Sequence, residues 1–316
     1  MILAAGLTPA WQQILQFRQL TPGEVNRATA AQWCGSGKVL NVGRALHNLI
    51  QESPPNQPLR CLTLSPLGGL ARQAIAREFA KDGIPLQVVE SSVPTRVCTT
   101  LLEQSGQRTT ELVENAAALP AIELSEYLRQ FQELLPICET VILSGSLPNG
   151  TPSDYYAQLL TGCRCRVILD ARGAELRHTL AMRPWLVKPN RQELAATAGI
   201  PCDSSEHTWQ AMHQVQVAGA QWVVISAGPE AIFVAGPGEK WIIHPPKLAR
   251  VVNPIACGDT LAAGIAWGME LTGQPIIAIR WGVAAAAANA ETLLPARWER
   301  GRVAELFGLT GVEQVT

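Results

Sequence analysis

Residues 253–260 read Asn253-Pro254-Ile255-Ala256-Cys257-Gly258-Asp259-Thr260, and a run of small residues follows them. Pro254 interrupts the preceding structure, the small residues favour a tight turn, and we expect a helix to begin at or near Asp259. Free backbone N–H groups at a helix start, together with the positive end of the helix dipole, form an anion site. An aspartate at that position suits phosphoryl transfer, in which it takes a proton from the attacking hydroxyl. The alternative is that Asp259 is an ordinary N-cap residue beside a glycine turn.

A second glycine-rich segment reads Gly35-Ser36-Gly37-Lys38-Val39-Leu40-Asn41-Val42. It is not a P-loop, because that pattern requires glycine at position 32, which is Gln32, and serine or threonine at position 39, which is Val39. The segment instead predicts a flexible turn that leads into an amphipathic helix. Lys38 and Asn41 lie three residues apart in its first turn, so both polar groups can face one small ligand. The alternative is a glycine-rich turn followed by an exposed lysine.

Strand-like runs alternate with helical ones, which predicts an α/β fold with a parallel sheet. The predicted strands are Ile2 to Leu7, Leu59 to Ser65, Leu86 to Glu90, Thr140 to Ser144, Val167 to Asp170, Trp185 to Lys188 and Trp222 to Ser226. Ser144, Lys188 and Ser226 stand at the carboxyl ends of such strands, where open α/β sheets bind ligands. Asn190 is predicted to cap a helix, with Glu193 either as its capping partner or near a hydrated metal. Taken alone, each of these segments is also a common cap or turn.

Two segments, residues 12–33 and 94–113, do not fit this alternation. They read as short strands with turns at Pro22-Gly23 and Ser105-Gly106. Since each is inserted between sheet-and-helix units, we expect the two to form a small sheet that covers one end of the main domain.

The composition indicates a globular protein without a bulk attraction to nucleic acid or anionic membrane. Of 316 residues, 47% are hydrophobic and 16% charged, with 25 basic and 26 acidic side chains. The eight cysteines predict reduced thiols of a cytoplasmic protein, and Cys163-Arg164-Cys165 lacks the second ligand pair of a zinc site. The most apolar stretch, Pro275 to Ala290, contains Arg280 and is too short to span a membrane.

In their order along the chain, these segments resemble the ribokinase-like sugar kinases, and among them the phosphofructokinase B branch, which includes 1-phosphofructokinase and tagatose-6-phosphate kinase. The resemblance extends over nearly the whole chain. The matching segments are Gly23 to Arg27, Gly37-Lys38 with Asn41-Val42, Thr95-Arg96, Ser144 to Pro148, Lys188-Pro189-Asn190 with Glu193, Ser226 with Gly228, and Gly258-Asp259.

The resemblance implies a fold, a donor and a mode of assembly. It implies a three-layer αβα domain over residues 1–316, with a mostly parallel central sheet and a β-sheet lid formed by segments 12–33 and 94–113. It also implies ATP with Mg²⁺, a small-molecule sugar phosphate as acceptor, and a homodimer joined through the lids.

The resemblance further assigns roles to individual residues. Asp259 corresponds to the general base, and the N–H groups of Ala256, Cys257 and Gly258 to an anion hole. The positions that correspond to the sugar phosphate site are Gln12, Gly37, Lys38, Asn41, Arg96 and Ser144. Those near the nucleotide are Lys188, Asn190, Ser226 and Gly228, and Asn190 and Glu193 correspond to residues that order magnesium through water.

Several positions depart from the family pattern. Gln12 stands where the family has a sugar-binding aspartate, and Ser36 and Val39 each replace a glycine. Ala256 and Cys257 replace glycine and alanine, and a Cβ at position 256 is costly if that residue needs a positive φ.

We therefore predict an ATP-dependent kinase that acts on a phosphorylated ketohexose, of the fructose 1-phosphate or tagatose 6-phosphate type. One alternative is a weak or inactive relative that binds a nucleotide or sugar phosphate, and the changes at Gln12 and Val39 favour it. Another is a kinase for an unphosphorylated sugar or nucleoside. Lys38 and Arg96 disfavour this second alternative, because both suit a phosphate.

Overall fold

Strands and helices alternate along the chain of the computed structural model, which describes residues 1–315. The strands are β1 (Ile2–Ala5), β2 (Ala10–Phe17), β3 (Ala30–Ser36), β4 (Cys61–Gly68), β5 (Leu86–Ser91), β6 (Arg96–Glu103), β7 (Arg108–Val113), β8 (Thr140–Ser144), β9 (Arg166–Asp170), β10 (Leu186–Val187), β11 (Trp222–Ile225), β12 (Ile232–Gly236), β13 (Glu239–His244) and β14 (Gly311–Val315). The helices are α1 (Lys38–Gln51), α2 (Gly69–Lys81), α3 (Ala121–Leu134), α4 (Tyr155–Leu159), α5 (Gly173–Leu180), α6 (Arg191–Ala198), α7 (Ser205–Val217), α8 (Cys257–Thr272), α9 (Pro275–Ala290) and α10 (Arg302–Gly308).

The larger sheet has ten strands in the order β14-β13-β12-β11-β10-β9-β8-β1-β4-β5. The seven strands from β11 to β5 in this order are parallel, and they are the seven that the sequence predicts. The prediction of a mostly parallel α/β sheet is therefore confirmed. Its parallel strands all end at one edge, which brings together the residues that follow them.

Strands β12, β13 and β14 were not predicted, and they extend the sheet beyond β11 in antiparallel pairing. A tight turn between Gly236 and Glu239 returns the chain on itself, so β12 and β13 pair as neighbours without a crossover helix. β14, at the end of the described chain, then covers β13 as the outermost strand.

Helices cover both faces of the sheet, which makes the three layers of the predicted fold. In β1, Ile2 and Ala4 belong to one hydrophobic cluster, whereas Leu3 and Ala5 belong to another. Side chains of successive strand residues point to opposite faces, so a strand buried on both sides is apolar throughout. Burying a side chain the size of Ile2 or Leu3 contributes about 1.5–3 kcal/mol.

Helices α8 and α9 pack so closely that their backbones are in contact. A Cβ placed on Gly264 of α8 would lie 2.7 Å from the Cα of Gly282 in α9, so glycine is required at this crossing. α1 also packs beside α8, which sets the first turns of these two helices near each other. The apolar segment Pro275–Ala290 is α9, which packs against α8 and α10 and has ten of its sixteen residues buried. Within residues 1–315, no helix has both the length and the apolar character of a membrane span.

The two inserted segments form a second sheet in the order β3-β2-β6-β7, which we call the lid. β2 pairs antiparallel with β3 and parallel with β6, and β6 pairs antiparallel with β7. The register places Gln12 opposite Cys98, and Thr100 opposite Glu111. Gln12, Cys98 and Glu111 therefore share one face of the lid with Thr100.

The lid differs in one detail from the sequence-based expectation. Gly35 and Ser36, predicted to lie in a flexible turn, are the last residues of β3, and the turn is Gly37 alone. Gly37 has a φ of 81°, and a Cβ there would lie 2.6 Å from the carbonyl oxygen of Thr8. Both the positive φ and the close approach require glycine, so α1 begins immediately after the strand.

Candidate active site

A cavity of about 370 Å³ lies between the lid and the carboxyl edge of the larger sheet. Its lining includes all the residues for which the sequence predicts a site role except Ser144 and Gly228. The predicted residues in the lining are Gln12, Gly37, Lys38, Asn41, Arg96, Lys188, Asn190, Glu193, Ser226, Ala256, Cys257, Gly258 and Asp259.

Asp170, at the end of β9, contacts three polar side chains beneath this cavity. Its Oδ1 lies 3.0 Å from Lys38 Nζ at the start of α1 and 3.2 Å from Lys188 Nζ just after β10. Ser144, at the end of β8, donates its hydroxyl to the other carboxylate oxygen at 3.3 Å. Three separate elements therefore converge on one carboxylate that is only 1% exposed.

The opposite charges in this cluster keep one another ionised. Burial would raise the pKa of Asp170, but Lys188 and Lys38 more than offset it and hold the pKa below its usual value. Burial likewise opposes the charge on Lys38, yet Asp170 and Asp259 raise the pKa of this lysine. Asp170 is therefore ionised and Lys38 protonated at neutral pH, and a positive group faces the cavity.

Asp259 lies in the first turn of α8, where its Oδ2 accepts a hydrogen bond of 2.8 Å from Asn41 Nδ2. Helix α8 begins at Cys257, two residues before the predicted start, and its N-cap residue is Ala256. The interpretation of Asp259 as an N-cap residue is therefore wrong: it is the third helical residue, and its side chain contacts α1. The other carboxylate oxygen, Oδ1, has no hydrogen-bond donor among residues 1–315.

The environment of Asp259 makes it more basic than an ordinary aspartate. Burial raises its pKa to about 6 and the negative charge of Asp170 adds to the rise, whereas Lys38, Asn41 and Lys188 lower it. At neutral pH most of the protein has Asp259 ionised, with one oxygen open to the cavity. A carboxylate in this state can accept a proton from a ligand hydroxyl.

The turn before α8 is strained and is held from α9. Ala256 has a φ of 67°, a left-handed conformation that costs an L-residue about 1–2 kcal/mol. Asn289 Nδ2 donates to the carbonyl oxygen of Ile255 at 2.8 Å and to Cys257 Sγ at 3.3 Å. Asn253 donates to the carbonyl oxygen of Leu293 at 2.9 Å. These amides offset the strain and hold the turn from which the first residues of α8 line the cavity.

On the lid side, Gln12, Arg96 and Glu111 face the cavity. Gln12 is buried and donates its amide to Thr100 Oγ1 at 2.7 Å, so it does not point to solvent. The Arg96 guanidinium donates to the backbone carbonyls of Thr8, Pro9 and Glu114. Three of its five N–H groups are thus engaged, two with the β1–β2 loop and one with the residue that follows β7, and two remain for a ligand.

Glu111 was not singled out from the sequence, and its position in the cavity distinguishes it from the other acids. Asp170 is bound to lysines, Asp259 to Asn41, and Glu193 to the backbone N–H of Asn190. Glu111 alone among these four lining acids has no hydrogen-bond or ion-pair partner in residues 1–315. Although its side chain is exposed at the rim, partial desolvation raises the pKa of Glu111, and nearby Arg96 opposes the rise.

Asn190 and Glu193 form a reciprocal capping box at the start of α6. Glu193 N–H donates to Asn190 Oδ1 at 2.8 Å, and Asn190 N–H donates to Glu193 Oε2 at 3.0 Å. The capping alternative is therefore confirmed for both residues. No group of three or more histidine, cysteine, aspartate or glutamate side chains in residues 1–315 is arranged to hold a metal ion.

Two predicted site residues do not line the cavity. Ser144 is buried beneath it, where its hydroxyl contacts Asp170 as described above. Gly228 lies with a φ of 61° in the turn that follows β11, beyond Ser226, which does line the cavity. Ser144 therefore contacts Asp170 and does not line the cavity in which a ligand would lie.

Asp170 was also not predicted as a functional residue, although it is the last residue of the predicted strand Val167 to Asp170. An acidic residue at the carboxyl end of a predicted parallel strand was the available signal. For Glu111 the signal was weaker, since it is the last of four consecutive polar residues, Arg108 to Glu111, on a largely exposed lid strand. Only the pairing of β7 with β6 shows which of them face inwards.

Comparisons with known proteins agree with this architecture. A family model described as pfkB family carbohydrate kinase matches residues 11–296. A possible 1-phosphofructokinase from Thermotoga maritima superposes with a TM-score of 0.88 at 18% identity, over 100% of this chain and 99% of that one. Phosphofructokinase-2 from Escherichia coli gives 0.85 at 22% identity, over 98% and 99%. Ribokinase from Arabidopsis thaliana gives 0.70 at 19% identity, over 97% and 98%. The predicted ribokinase-like fold is confirmed.

Proposed function

The chain belongs to the pfkB family of carbohydrate kinases, and from that premise we propose that it transfers the γ-phosphoryl group of ATP to a hydroxyl of a phosphorylated ketohexose. Fructose 1-phosphate and tagatose 6-phosphate are the first candidates. The observation that carries this proposal is the Asp259 carboxylate at the start of α8, with Asn41 on one oxygen and the cavity on the other.

In the proposed reaction, Asp259 takes the proton of the attacking hydroxyl. A general base is most effective when its pKa lies close to the working pH, and a pKa of about 6 brings this carboxyl nearer to neutrality than an ordinary aspartate. The hydrogen bond from Asn41 orients the carboxylate, so its free oxygen is presented to the acceptor. Positioning of this kind lowers the entropic part of the barrier.

The negative charge of the transferring phosphoryl group would be stabilised by backbone N–H groups and by lysine side chains. The N–H groups of Ala256, Cys257 and Gly258 lie at the positive end of α8, where no intrahelical acceptor exists for them, and Cys257 N–H makes only a long turn bond of 3.4 Å to the carbonyl oxygen of Pro254. Lys38 and Lys188, around Asp170, add positive charge beside them, and Lys188 Nζ lies 3.3 Å from the position that a Cβ on Gly258 would take. Fixed dipoles and cations of this kind need no reorganisation during the reaction.

A divalent cation fits the charge balance of the cavity. Its basic lining residues are Lys38, Lys188 and Arg96, and its carboxylic acids are Glu111, Asp170, Glu193 and Asp259. Two phosphorylated ligands would add several negative charges to a lining in which acids outnumber bases. Mg²⁺, which binds few carboxylates and keeps waters and substrate phosphates as ligands, would neutralise part of that charge, with Asn190 and Glu193 near its waters.

For the acceptor, the lid offers a phosphate-binding end. Arg96 has two free N–H groups, and its three backbone contacts fix the guanidinium rigidly at the base of the lid. A rigid guanidinium forms directional, charge-assisted bonds to phosphate oxygens. This supports a phosphorylated sugar over a plain sugar or nucleoside.

Glu111 and Gln12 would contact the hydroxyl groups of the sugar. A carboxylate repels phosphate but accepts hydrogen bonds from hydroxyls, and Glu111 is the one lining acid without a partner in the described chain. Gln12 keeps its carbonyl oxygen and one amide proton after its bond to Thr100. We propose that Glu111 supplies from β7 the negative acceptor that position 12 lacks.

We also propose a homodimer joined through the lids, because the face of the lid that points away from the cavity carries exposed apolar side chains. Trp33 and Leu112 alternate in register with the inward-facing Cys34 and Glu111, so they lie on the outer face. Both are large apolar side chains with 44% and 55% exposure, respectively. An exposed apolar sheet face of this kind favours association with a second copy.

The substrate class is tested by measuring ADP release from MgATP over a panel of sugar phosphates, sugars and nucleosides. We expect fructose 1-phosphate or tagatose 6-phosphate to stimulate ADP release most strongly. Stimulation by an unphosphorylated sugar or nucleoside alone would contradict the proposed acceptor. A constant background rate with every compound, from folded protein that binds ATP, would contradict the kinase activity itself.

Asp259→Asn tests the general base. Asparagine is nearly isosteric, so the fold and ATP binding should be retained while turnover falls by about 10²–10⁴, the usual contribution of general base catalysis. The matched control is Asp154→Asn, an exposed aspartate outside the cavity, which should keep wild-type turnover. Near wild-type turnover of Asp259→Asn would exclude this residue as the base.

Glu111→Gln tests hydroxyl recognition by the lid. A hydrogen bond to a charged group is worth about 1.5–3 kcal/mol, so the KM for the sugar phosphate should rise at least about tenfold, while the KM for ATP stays unchanged. Glu24→Gln, an exposed lid glutamate, is the control and should leave both values unchanged. If the KM for the best acceptor changes less than about twofold, Glu111 does not bind it.

Leu112→Glu tests the lid interface by sedimentation. We expect wild-type protein to sediment as a dimer and the variant as a monomer, because a buried unpaired charge opposes association. Ile122→Glu, at a still more exposed apolar position on α3 (78%), should remain dimeric. A monomeric wild-type protein, or loss of the dimer in the control, would contradict this interface.

A further inference from the structure

Two cysteines lie in contact at the edge of the larger sheet opposite to the candidate active site. The Sγ atoms of Cys163 and Cys165 are 3.2 Å apart, in the segment that connects α4 to β9. Both side chains are half-buried, and Cys165 and Cys138 line an adjoining cavity of about 950 Å³. The pair stands at the amino end of β9, whereas Asp170 at its carboxyl end belongs to the site described above.

The geometry favours a covalent bond between these two sulfur atoms. They are already in van der Waals contact, and a disulfide requires an approach to about 2.0 Å. Only Arg164 separates the two residues, in a connection that belongs to no helix or strand. The bond can therefore close by local adjustment of one short connection, without displacement of a packed element.

We propose that Cys163 and Cys165 form a redox-active dithiol that exchanges with small-molecule disulfides such as glutathione disulfide. The Cys163 thiolate attacks one sulfur of the small disulfide, so that the S–S bond breaks, a mixed disulfide forms and one glutathione thiolate leaves. Cys165 then loses its proton and attacks the Cys163 sulfur, which releases the second glutathione. Two protein thiols are oxidised by two electrons, and one glutathione disulfide is reduced to two thiols.

The order of attack follows from the hydrogen bond between the two thiols. Either thiol can donate in this contact, and when Cys163 is the thiolate, Cys165 donates to it and lowers the pKa of Cys163 to about 7, although burial opposes the change. The same contact and burial raise the pKa of Cys165. Since the thiolate is the reactive species, Cys163 is the attacking sulfur and Cys165 the resolving one.

The other thiols of the chain lack this activation. Burial raises the pKa of each of them: to about 11 for Cys34, Cys138 and Cys257, to about 12 for Cys61, and above the usual value for Cys98 and Cys202. Cys138, the nearest of them, donates its S–H to the carbonyl oxygen of Leu134. In the described chain, therefore, only Cys163 is set up to start exchange. Metal binding is not favoured, since no three-ligand group is present in residues 1–315.

The first experiment uses the unaltered protein. Fully reduced protein is incubated with glutathione disulfide near pH 7, the remaining thiols are alkylated, and the peptides are analysed by mass spectrometry. We expect a peptide in which Cys163 and Cys165 have lost two hydrogens and carry no glutathione. Protein whose Cys163 and Cys165 are both alkylated, or that keeps glutathione on one of them, would overturn the proposal.

Two single variants then test the roles of the two sulfur atoms. Cys165→Ser should accumulate glutathione on Cys163, because no resolving thiol remains. Cys163→Ser should react at Cys165 at least about tenfold more slowly, because the remaining thiol loses its activated partner. Cys202→Ser, which removes another half-buried thiol, is the control and should form the internal disulfide as the wild type does. Equal rates of glutathione addition in the two single variants would contradict the assigned roles.

Discussion

The buried carboxylate of Asp170 determines how the polar side of this protein is arranged. It is the only counter-ion within 4 Å, in residues 1–315, for Lys38 and Lys188, which arrive from different elements. Without it, Lys188, which is only 5% exposed, would be a buried charge without a partner beside the more exposed Lys38, and removal of one partner of a buried ion pair typically costs about 3–5 kcal/mol. Because the folded pKa of Asp170 is depressed, this stabilisation is present above the unfolded carboxyl pKa and is lost as the pH falls through the folded value.

The contrast between Asp170 and Asp259 gives each carboxylate its role. Both are buried, but Asp170 has two lysines as direct partners, whereas Asp259 has a neutral amide. The pKa of the first is held down and that of the second rises to about 6. Two carboxylates whose environments move their pKa values in opposite directions are a common arrangement in enzymes, with one as a permanent charge and the other as the group that exchanges protons. The kinase function proposed here depends on that division.

Much of this arrangement could be predicted from the sequence, and the remainder shows what sequence patterns lack. The seven parallel strands are continuous apolar runs between helices, so periodicity identified all of them, and Asp259, Asn41 and Lys38 followed from turn chemistry. The helix boundary near Asp259 was two residues off, because an alanine in a left-handed conformation, held by Asn289 from α9, replaces the expected cap. Asp170 and Glu111 were missed, because their roles depend on which side chains the sheet pairing brings next to them. Strands β12, β13 and β14 were not predicted, because the prediction relied on strands that alternate with helices. No helix separates β12 from β13.

The central claim is that Asp259 is held as a poised base before any substrate binds, and its carboxyl pKa in the free protein tests this most directly. The measurement is a titration by carbon NMR of protein labelled at its aspartate carboxyl groups, with Asp259→Asn to assign the signal. We predict a carboxyl signal that titrates at about 6 and is missing from the variant. A signal for Asp259 that titrates near the ordinary aspartate value of about 4 would contradict it.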